Sequence, residues 1–274
     1  MTLLTVAGVR YEVRSGGDGP PALLLHGFTG RGADWGPLLP AFRRHARTIT
    51  VDLLGHGRSD SPVHPDRHAL PAQAADLAQI LRRLGAVPAV IVGYSFGARL
   101  ALCLVADHPD VVAALVLESP SAGLADPAER ARREAADEAL AARIERDGME
   151  AFVDTWWETT PVFASERDLP PATRARLRSA RLRNRPAGLA ASLRGAGQGA
   201  MEPLFDRLRS IARPTLVVAG ELDPVGIARA RDVAARIPGA RLIVLSGAGH
   251  SAHRDQPAAF RRIVTTFLQE EAPA

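Results

Sequence analysis

A serine held between two glycines, in Gly93-Tyr94-Ser95-Phe96-Gly97, constrains this chain more than any other feature. It follows the β-rich run Ala89-Val90-Ile91-Val92 and precedes an apolar helical run from about Ala98 to Asp107. A G-x-S-x-G pentapeptide between a strand and a helix makes a sharp, strained turn with the serine hydroxyl at its tip. Glycine is needed there because strand and helix pass too closely for side chains. The pentapeptide alone occurs by chance in many proteins; its placement is what makes it a signal.

The surrounding pattern agrees. Short runs rich in Val, Ile and Leu, at Ala22–Leu25, Thr48–Val51, Ala89–Val92, Ala114–Leu117, Thr215–Ala219 and Arg241–Leu245, alternate with longer helical stretches. That rhythm predicts a mostly parallel sheet covered by helices. Ligand chemistry in such sheets gathers beyond the carboxyl ends of the strands. The unusual residues follow those ends: His26-Gly27-Phe28, Asp52, Ser95, Glu118, Asp223 and His250.

Between about Pro120 and Pro203 the strand rhythm stops. Amphipathic helices are expected at Pro127–Arg146, Met149–Trp157 and Pro171–Arg183, then a glycine-rich turn at Gly195-Ala196-Gly197-Gln198-Gly199. The expected organisation is an α/β-hydrolase fold with helices on both faces of the sheet and a helical cap inserted after the sixth strand. Residues 1–119 and 204–274 would form its core and 120–203 the cap, with the last four residues frayed.

Composition narrows the setting. With 46% apolar residues, a chain of 274 residues can bury a core without disulfides. The single cysteine, Cys103, lies in an apolar helical run and reads as a packed thiol. An unpaired cysteine, no signal-peptide pattern at the start and no membrane-length apolar run point to a cytoplasmic protein without membrane insertion. The net charge is +4 and every Lys/Arg-type residue is arginine. No basic stripe interleaved with aromatics suggests nucleic-acid binding.

A serine hydroxyl becomes reactive when a histidine can take its proton. His250 ends the glycine-rich loop Ser246-Gly247-Ala248-Gly249-His250 after the last strand and is the best placed of eight histidines. His45, His64, His68 and His108 read as surface residues, His26 and His56 as loop-shaping ones, and His253 as a neighbour without a second catalytic role. An acid must hold the histidine's tautomer. Asp223 follows the penultimate strand in the chain order Ser–Asp–His, with Glu118 the runner-up; Asp52 is expected to brace Gly55-His56-Gly57. The backbone N–H groups of Phe28 and Phe96 are expected to form an oxyanion hole.

The cap carries a charge clue. From Leu169 to Met201 there is no acidic residue, yet Arg174, Arg176, Arg178, Arg181, Arg183, Arg185 and Arg194 fall inside. Arg99 lies one turn beyond Ser95 on the helix after the elbow. Arginine forks suit carboxylates, so a few converging on the pocket would imply a small polyanionic substrate. Trp156 and Trp157 cannot both face one way on a helix; one is expected to pack and the other to line the cavity.

At this point the sequence resembles the MenH family, the 2-succinyl-6-hydroxy-2,4-cyclohexadiene-1-carboxylate (SHCHC) synthases of menaquinone biosynthesis, over nearly the whole chain. The likeness includes Leu25-His26-Gly27-Phe28-Thr29-Gly30 with Asp34-Trp35, Leu54-Gly55-His56-Gly57-Arg58-Ser59, and the elbow continued by Ala98-Arg99. In the cap it includes Glu118-Ser119-Pro120-Ser121-Ala122-Gly123-Leu124, which departs at Ala122 where the family has proline. Arg133 with Asp137, Trp157 with Pro161-Val162-Phe163, Arg183, Ser192-Leu193-Arg194-Gly195 and Ala248-Gly249-His250-Ser251-Ala252-His253-Arg254 also fit.

The resemblance implies a lyase that removes pyruvate from an enolpyruvyl cyclohexene tricarboxylate, as a monomer or weak homo-oligomer. Ser95, activated by His250 and Asp223, would be the general base. Tyr94, Arg99, Arg133, Trp157 and Arg183 would bind substrate, and no metal or organic cofactor would be needed. The rival is a capped serine hydrolase acting on esters, lactones or carbon–carbon bonds through an acyl-enzyme; a non-catalytic receptor on the same fold is a third reading. Epoxide hydrolase and dehalogenase chemistries are disfavoured because they use an aspartate at the elbow.

Overall fold

The computed structural model describes residues 2–271. Of the terminal residues expected to fray, 272–274 lie outside the described residues and Glu271 ends a helix. Eight strands form one sheet: β1 (Thr2–Val6), β2 (Val9–Gly16), β3 (Pro21–Leu25), β4 (Arg47–Val51), β5 (Ala89–Tyr94), β6 (Val112–Glu118), β7 (Thr215–Gly220) and β8 (Arg241–Leu245). Their spatial order is β1-β2-β4-β3-β5-β6-β7-β8. The pairs β1–β2 and β2–β4 are antiparallel, and the rest are parallel.

The six expected runs are β3 to β8. The pair β1–β2 at the sheet edge is additional, because its partly exposed residues offer no continuous apolar run to read. The central strands are apolar throughout because both faces are covered. Leu23, Leu25, Ile91, Leu115 and Val217 feed one core, and Leu24, Val90, Val92, Val116 and Val218 feed the other. Burying each such side chain contributes about 1.5–3 kcal/mol relative to exposure.

The helices are α1 (Leu39–Phe42), α2 (Pro65–His68), α3 (Leu70–Arg83), α4 (Phe96–Asp107), α5 (Pro127–Thr159), α6 (Pro171–Arg181), α7 (Pro186–Ala196), α8 (Pro224–Arg236), α9 (Ala252–Asp255) and α10 (Pro257–Glu271). Cys103 is buried on α4, where its thiol donates to Asp107 at 3.3 Å. Among the described residues no helix is long and apolar enough to cross a membrane.

Helices α5, α6 and α7 lie between β6 and β7 and share a third core of Ile144, Phe152, Trp157, Phe163, Leu177 and Leu189. Phe28 touches both this core and the first. The two expected helices at 127–146 and 149–157 are the arms of α5, broken at Gly148 (φ 76°, ψ 176°). Helix α7 corrects the expected turn: Gly195 and Ala196 are helical, and the chain leaves the helix only at Gly197. Gly195 serves close approach, since a Cβ there would strike the carbonyl of Pro65.

Candidate active site

Strand β5 delivers Ser95 to the amino end of α4 with φ 50° and ψ −103°, a left-handed conformation rare outside glycine. A Cβ on Gly93 would come within 2.5 Å of the Gly97 carbonyl, and one on Gly97 would strike Leu25. The Ser95 N–H donates to the Glu118 carbonyl at 2.9 Å, tying the turn to β6.

His250 reaches Ser95 from the loop after β8. Its Nε2 lies 2.9 Å from Ser95 Oγ, and its Nδ1 lies 2.6 Å from Asp223 Oδ2. Asp223 also caps α8, its Oδ1 accepting from Gly226 N at 2.9 Å. Burial pushes the Asp223 carboxyl up, but the hydrogen bond and charge of His250 outweigh this and hold it below the usual range. Ser119 Oγ donates to the His250 carbonyl at 2.8 Å and fixes the loop. Glu118, the other candidate acid, instead accepts from the backbone N–H of His253 at 2.9 Å and faces that residue's Nδ1.

Phe28 and Phe96 line the cavity, and among the described residues neither backbone N–H has a hydrogen-bond partner. The loops beneath them are braced by buried polar groups. Asp52 accepts from Gly32 N at 2.8 Å and Arg58 N at 2.9 Å. His26 Nε2 accepts from Leu53 N at 2.9 Å, and His56 stacks on Phe96 with ring centres 5.7 Å apart. Burial lowers the pKa of both histidines, keeping them neutral at pH 7. His68, expected at the surface, is buried, with its Nε2 2.7 Å from the Pro62 carbonyl.

Ser95 and His250 open into a cavity of about 230 Å³. Tyr94, Trp156, Val162 and Phe163 form apolar wall, and Arg99, Arg133 and Arg229 supply positive charge. Arg133 is paired with Asp137 at 2.8 Å and reaches Gln198 at 3.2 Å. Arg99 donates to the Ala196 carbonyl at 2.7 Å and has no salt bridge among the described residues. Burial, then the charge of Arg133, lowers its pKa to about 10. The Tyr94 hydroxyl is bonded to Ser251 Oγ at 2.6 Å, so the tyrosine presents its ring.

Two expected binding residues are not brought to this cavity. Trp157 is buried with its Nε1–H donating to Glu166 at 2.7 Å, and Trp156 lines the wall in its place. The helical twist keeps adjacent residues on different faces, and the contacts of Trp157 with Glu166 and with the Arg181 guanidinium, 4.0 Å from its ring centre, settle which of the two turns inward. Arg183 is exposed just after α6 and is not among the lining residues.

The arginine-rich stretch likewise turns elsewhere. Arg174 meets Glu158, Arg178 meets Asp154 at 2.7 Å, and Arg194 meets Glu138 at 2.8 Å. Arg181 is buried against Glu166 at 2.8 Å, which also holds Arg254 at 2.6 Å and accepts from Ser251 Oγ at 2.7 Å. This buried knot joins α6 to the residues beside His250, and nothing in the linear sequence pairs its members.

Arg229 was legible in principle. Asp223 caps α8, and Gly226 and Arg229 follow at three-residue spacing on one helix face. Among the described residues no group of three or more His, Cys, Asp or Glu is arranged to hold a metal.

The parallel sheet, the strained serine turn and the Ser–His–Asp chain define a class, and residues 20–257 match the family model described as alpha/beta hydrolase fold. A Bacillus subtilis (strain 168) protein, provisionally named a 2-succinyl-6-hydroxy-2,4-cyclohexadiene-1-carboxylate synthase, is 41% identical over 95% of each chain. The synthase of that name from Pectobacterium atrosepticum is 32% identical over 91% of this chain and 94% of its own. The structure of MenH from S. aureus superposes with a TM-score of 0.91 at 30% identity, covering 96% of this chain and 99% of the other. The chain belongs to the MenH family, the SHCHC synthases, within the α/β-hydrolase fold.

Proposed function

We propose that this chain is a carbon–oxygen lyase of menaquinone biosynthesis that eliminates pyruvate from 2-succinyl-5-enolpyruvyl-6-hydroxy-3-cyclohexene-1-carboxylate to give SHCHC. The observation that carries the reading is charge: Arg99 and Arg133 face the same cavity as Ser95 and His250, and Arg99 lacks an acidic partner among the described residues. A half-buried guanidinium left without a carboxylate is costly unless a ligand supplies one. A tricarboxylate does so.

On this reading Ser95 Oγ takes the proton next to the substrate carbonyl as its own proton passes to His250 Nε2, 2.9 Å away. Asp223 stabilises the imidazolium that forms. The electron pair moves into an enolate held by the N–H groups of Phe28 and Phe96. Its collapse restores the carbonyl, forms a ring double bond at the deprotonated carbon, shifts the existing one to the carbon bearing the enolpyruvyl oxygen and breaks that C–O bond. The proton on His250 is returned as pyruvate departs. Arg99 and Arg133 hold carboxylates while Tyr94 and Trp156 shape the wall. Residues 120–203 act as the cap over residues 1–119 and 204–274. The enzyme works in the cytoplasm as a monomer or weak homo-oligomer without a metal or organic cofactor.

The same serine geometry would also serve an acyl-enzyme hydrolase, so the test must separate the two. The enolpyruvyl substrate is generated in situ and pyruvate is followed through a coupled dehydrogenase. The expected result is rapid release, reduced roughly 10²–10⁴-fold by Ser95→Ala. No release, together with rapid turnover of simple nitrophenyl esters, would sink the lyase reading.

A further inference from the structure

Among the described residues Arg229 is the one cavity-lining arginine that the family pattern read from the sequence does not include. It projects from the second turn of α8, on the face that also carries Asp223 and Gly226, and lines the cavity with both. Among the described residues its guanidinium makes no salt bridge and no hydrogen bond. The charged groups felt there are Arg133, Glu129 and Asp223, in that order after burial itself. Glu129 lies beyond salt-bridge reach, and Asp223 is already committed to His250 and Gly226. Burial together with Arg133 lowers the Arg229 pKa, a mark of positive charge held without an anion.

Among the described residues, Asp223 and Glu129 favour the Arg229 charge from a distance but neither forms a salt bridge with this half-buried guanidinium. Among the described residues Asp223 is the only acidic residue lining the cavity, whereas three arginines from three helices line it. Arg133 arrives from α5 with Asp137 as its partner, Arg99 from α4 and Arg229 from α8 with none. Each charge acts on the next: Arg133 and Arg229 both depress Arg99. Like charges converge in this way at little cost only when an anion joins them.

We infer that Arg229 is a substrate-binding residue, taking a carboxylate of the substrate on the α8 wall of the cavity. The identity of that carboxylate rests on the lyase reading; the anion site itself does not. Three guanidinium groups then match the three carboxylates of the proposed substrate, with one on the Asp223 side of the catalytic histidine.

The test uses the full chain and two readouts. Pyruvate release is measured for wild type, Arg229→Gln and Arg229→Lys, with thermal midpoints showing that each is folded. Binding of the intact substrate is measured by tryptophan fluorescence on Ser95→Ala with and without Arg229→Gln. A lost charge-assisted hydrogen bond raises KM and weakens binding roughly tenfold to a hundredfold, with kcat changed far less and Arg229→Lys recovering part of the loss. Unchanged KM and binding overturn the inference. So does a fall in kcat alone with a displaced pH profile, which would mean that Arg229 acts through Asp223. Arg229-dependent binding without pyruvate release by wild type would retain the anion site and reject the lyase reading.

Discussion

Between Leu169 and Met201 the chain carries seven arginines and no acidic residue, whereas the cavity wall draws single arginines from α4, α5 and α8. By density the first region is the stronger candidate for binding an anion. In space it is the weaker. Three of its arginines meet the acidic arms of α5: Arg174 with Glu158, Arg178 with Asp154 and Glu150, and Arg194 with Glu138 and Glu145. The cavity arginines are sparse in sequence, yet Arg99 and Arg229 lack acidic partners among the described residues. Binding capacity follows unpaired charge in a concave site, and pairing is invisible to a count along the chain.

The comparison breaks first at Glu166, a buried carboxylate that ties Arg181 of the arginine-rich region to Arg254 beside the active-site loop. Glu166→Gln would leave Arg181 buried without a counter-charge and Arg254 with only Asp34 at 3.7 Å, at a cost of about 3–5 kcal/mol. Thermal denaturation reads it directly. Burial pushes the Glu166 carboxyl up, but Arg254, Arg181 and Ser251 hold it well below the usual range. A depressed folded-state pKa contributes stability that is fully present above the unfolded value and lost as pH falls through the folded one. Wild type should therefore lose stability more steeply than Glu166→Gln below about pH 4.5. Equal acid limbs would show that the carboxylate is not held as the structure has it.

Arg99→Gln tests the other region. Losing one charge-assisted contact of about 1.5–3 kcal/mol should raise KM for the enolpyruvyl substrate with little change in thermal midpoint. A stability loss without a kinetic one would make Arg99 a packing residue. The smallest effects belong to the exposed pairs. Arg178→Ala and Arg194→Ala should each change stability by less than about 1 kcal/mol and leave KM unaltered. Arg183→Ala should also leave KM unaltered, because its side chain is exposed and outside the cavity. A large rise in KM for Arg183→Ala would restore the reading drawn from the family pattern and indicate that the cap closes further on substrate.

Much of the fold was legible because its signals are local. Strands β3 to β8 announce themselves by continuous apolar runs, which follow from burial on both sheet faces. Strands β1 and β2 do not, since an antiparallel edge pair needs no such run. Gly195 shows the ambiguity of glycine: it read as a turn and instead lets α7 approach the Pro65 carbonyl. Trp156 and Trp157 show the limit of periodicity, which separates neighbours without saying which one faces the cavity.

The sequence by itself determined the elbow at Ser95, the order Ser95–Asp223–His250 and the alternation that builds the sheet. Steric need for glycine, backbone pairing and apolar burial all act over a few residues. Only the tertiary structure decided which arginines face the cavity, because a charge's role depends on whether a carboxylate meets it. Arg181 finds Glu166 from 15 positions away; Arg99 and Arg229, 130 residues apart in the chain, share a cavity in which, among the described residues, neither forms a salt bridge.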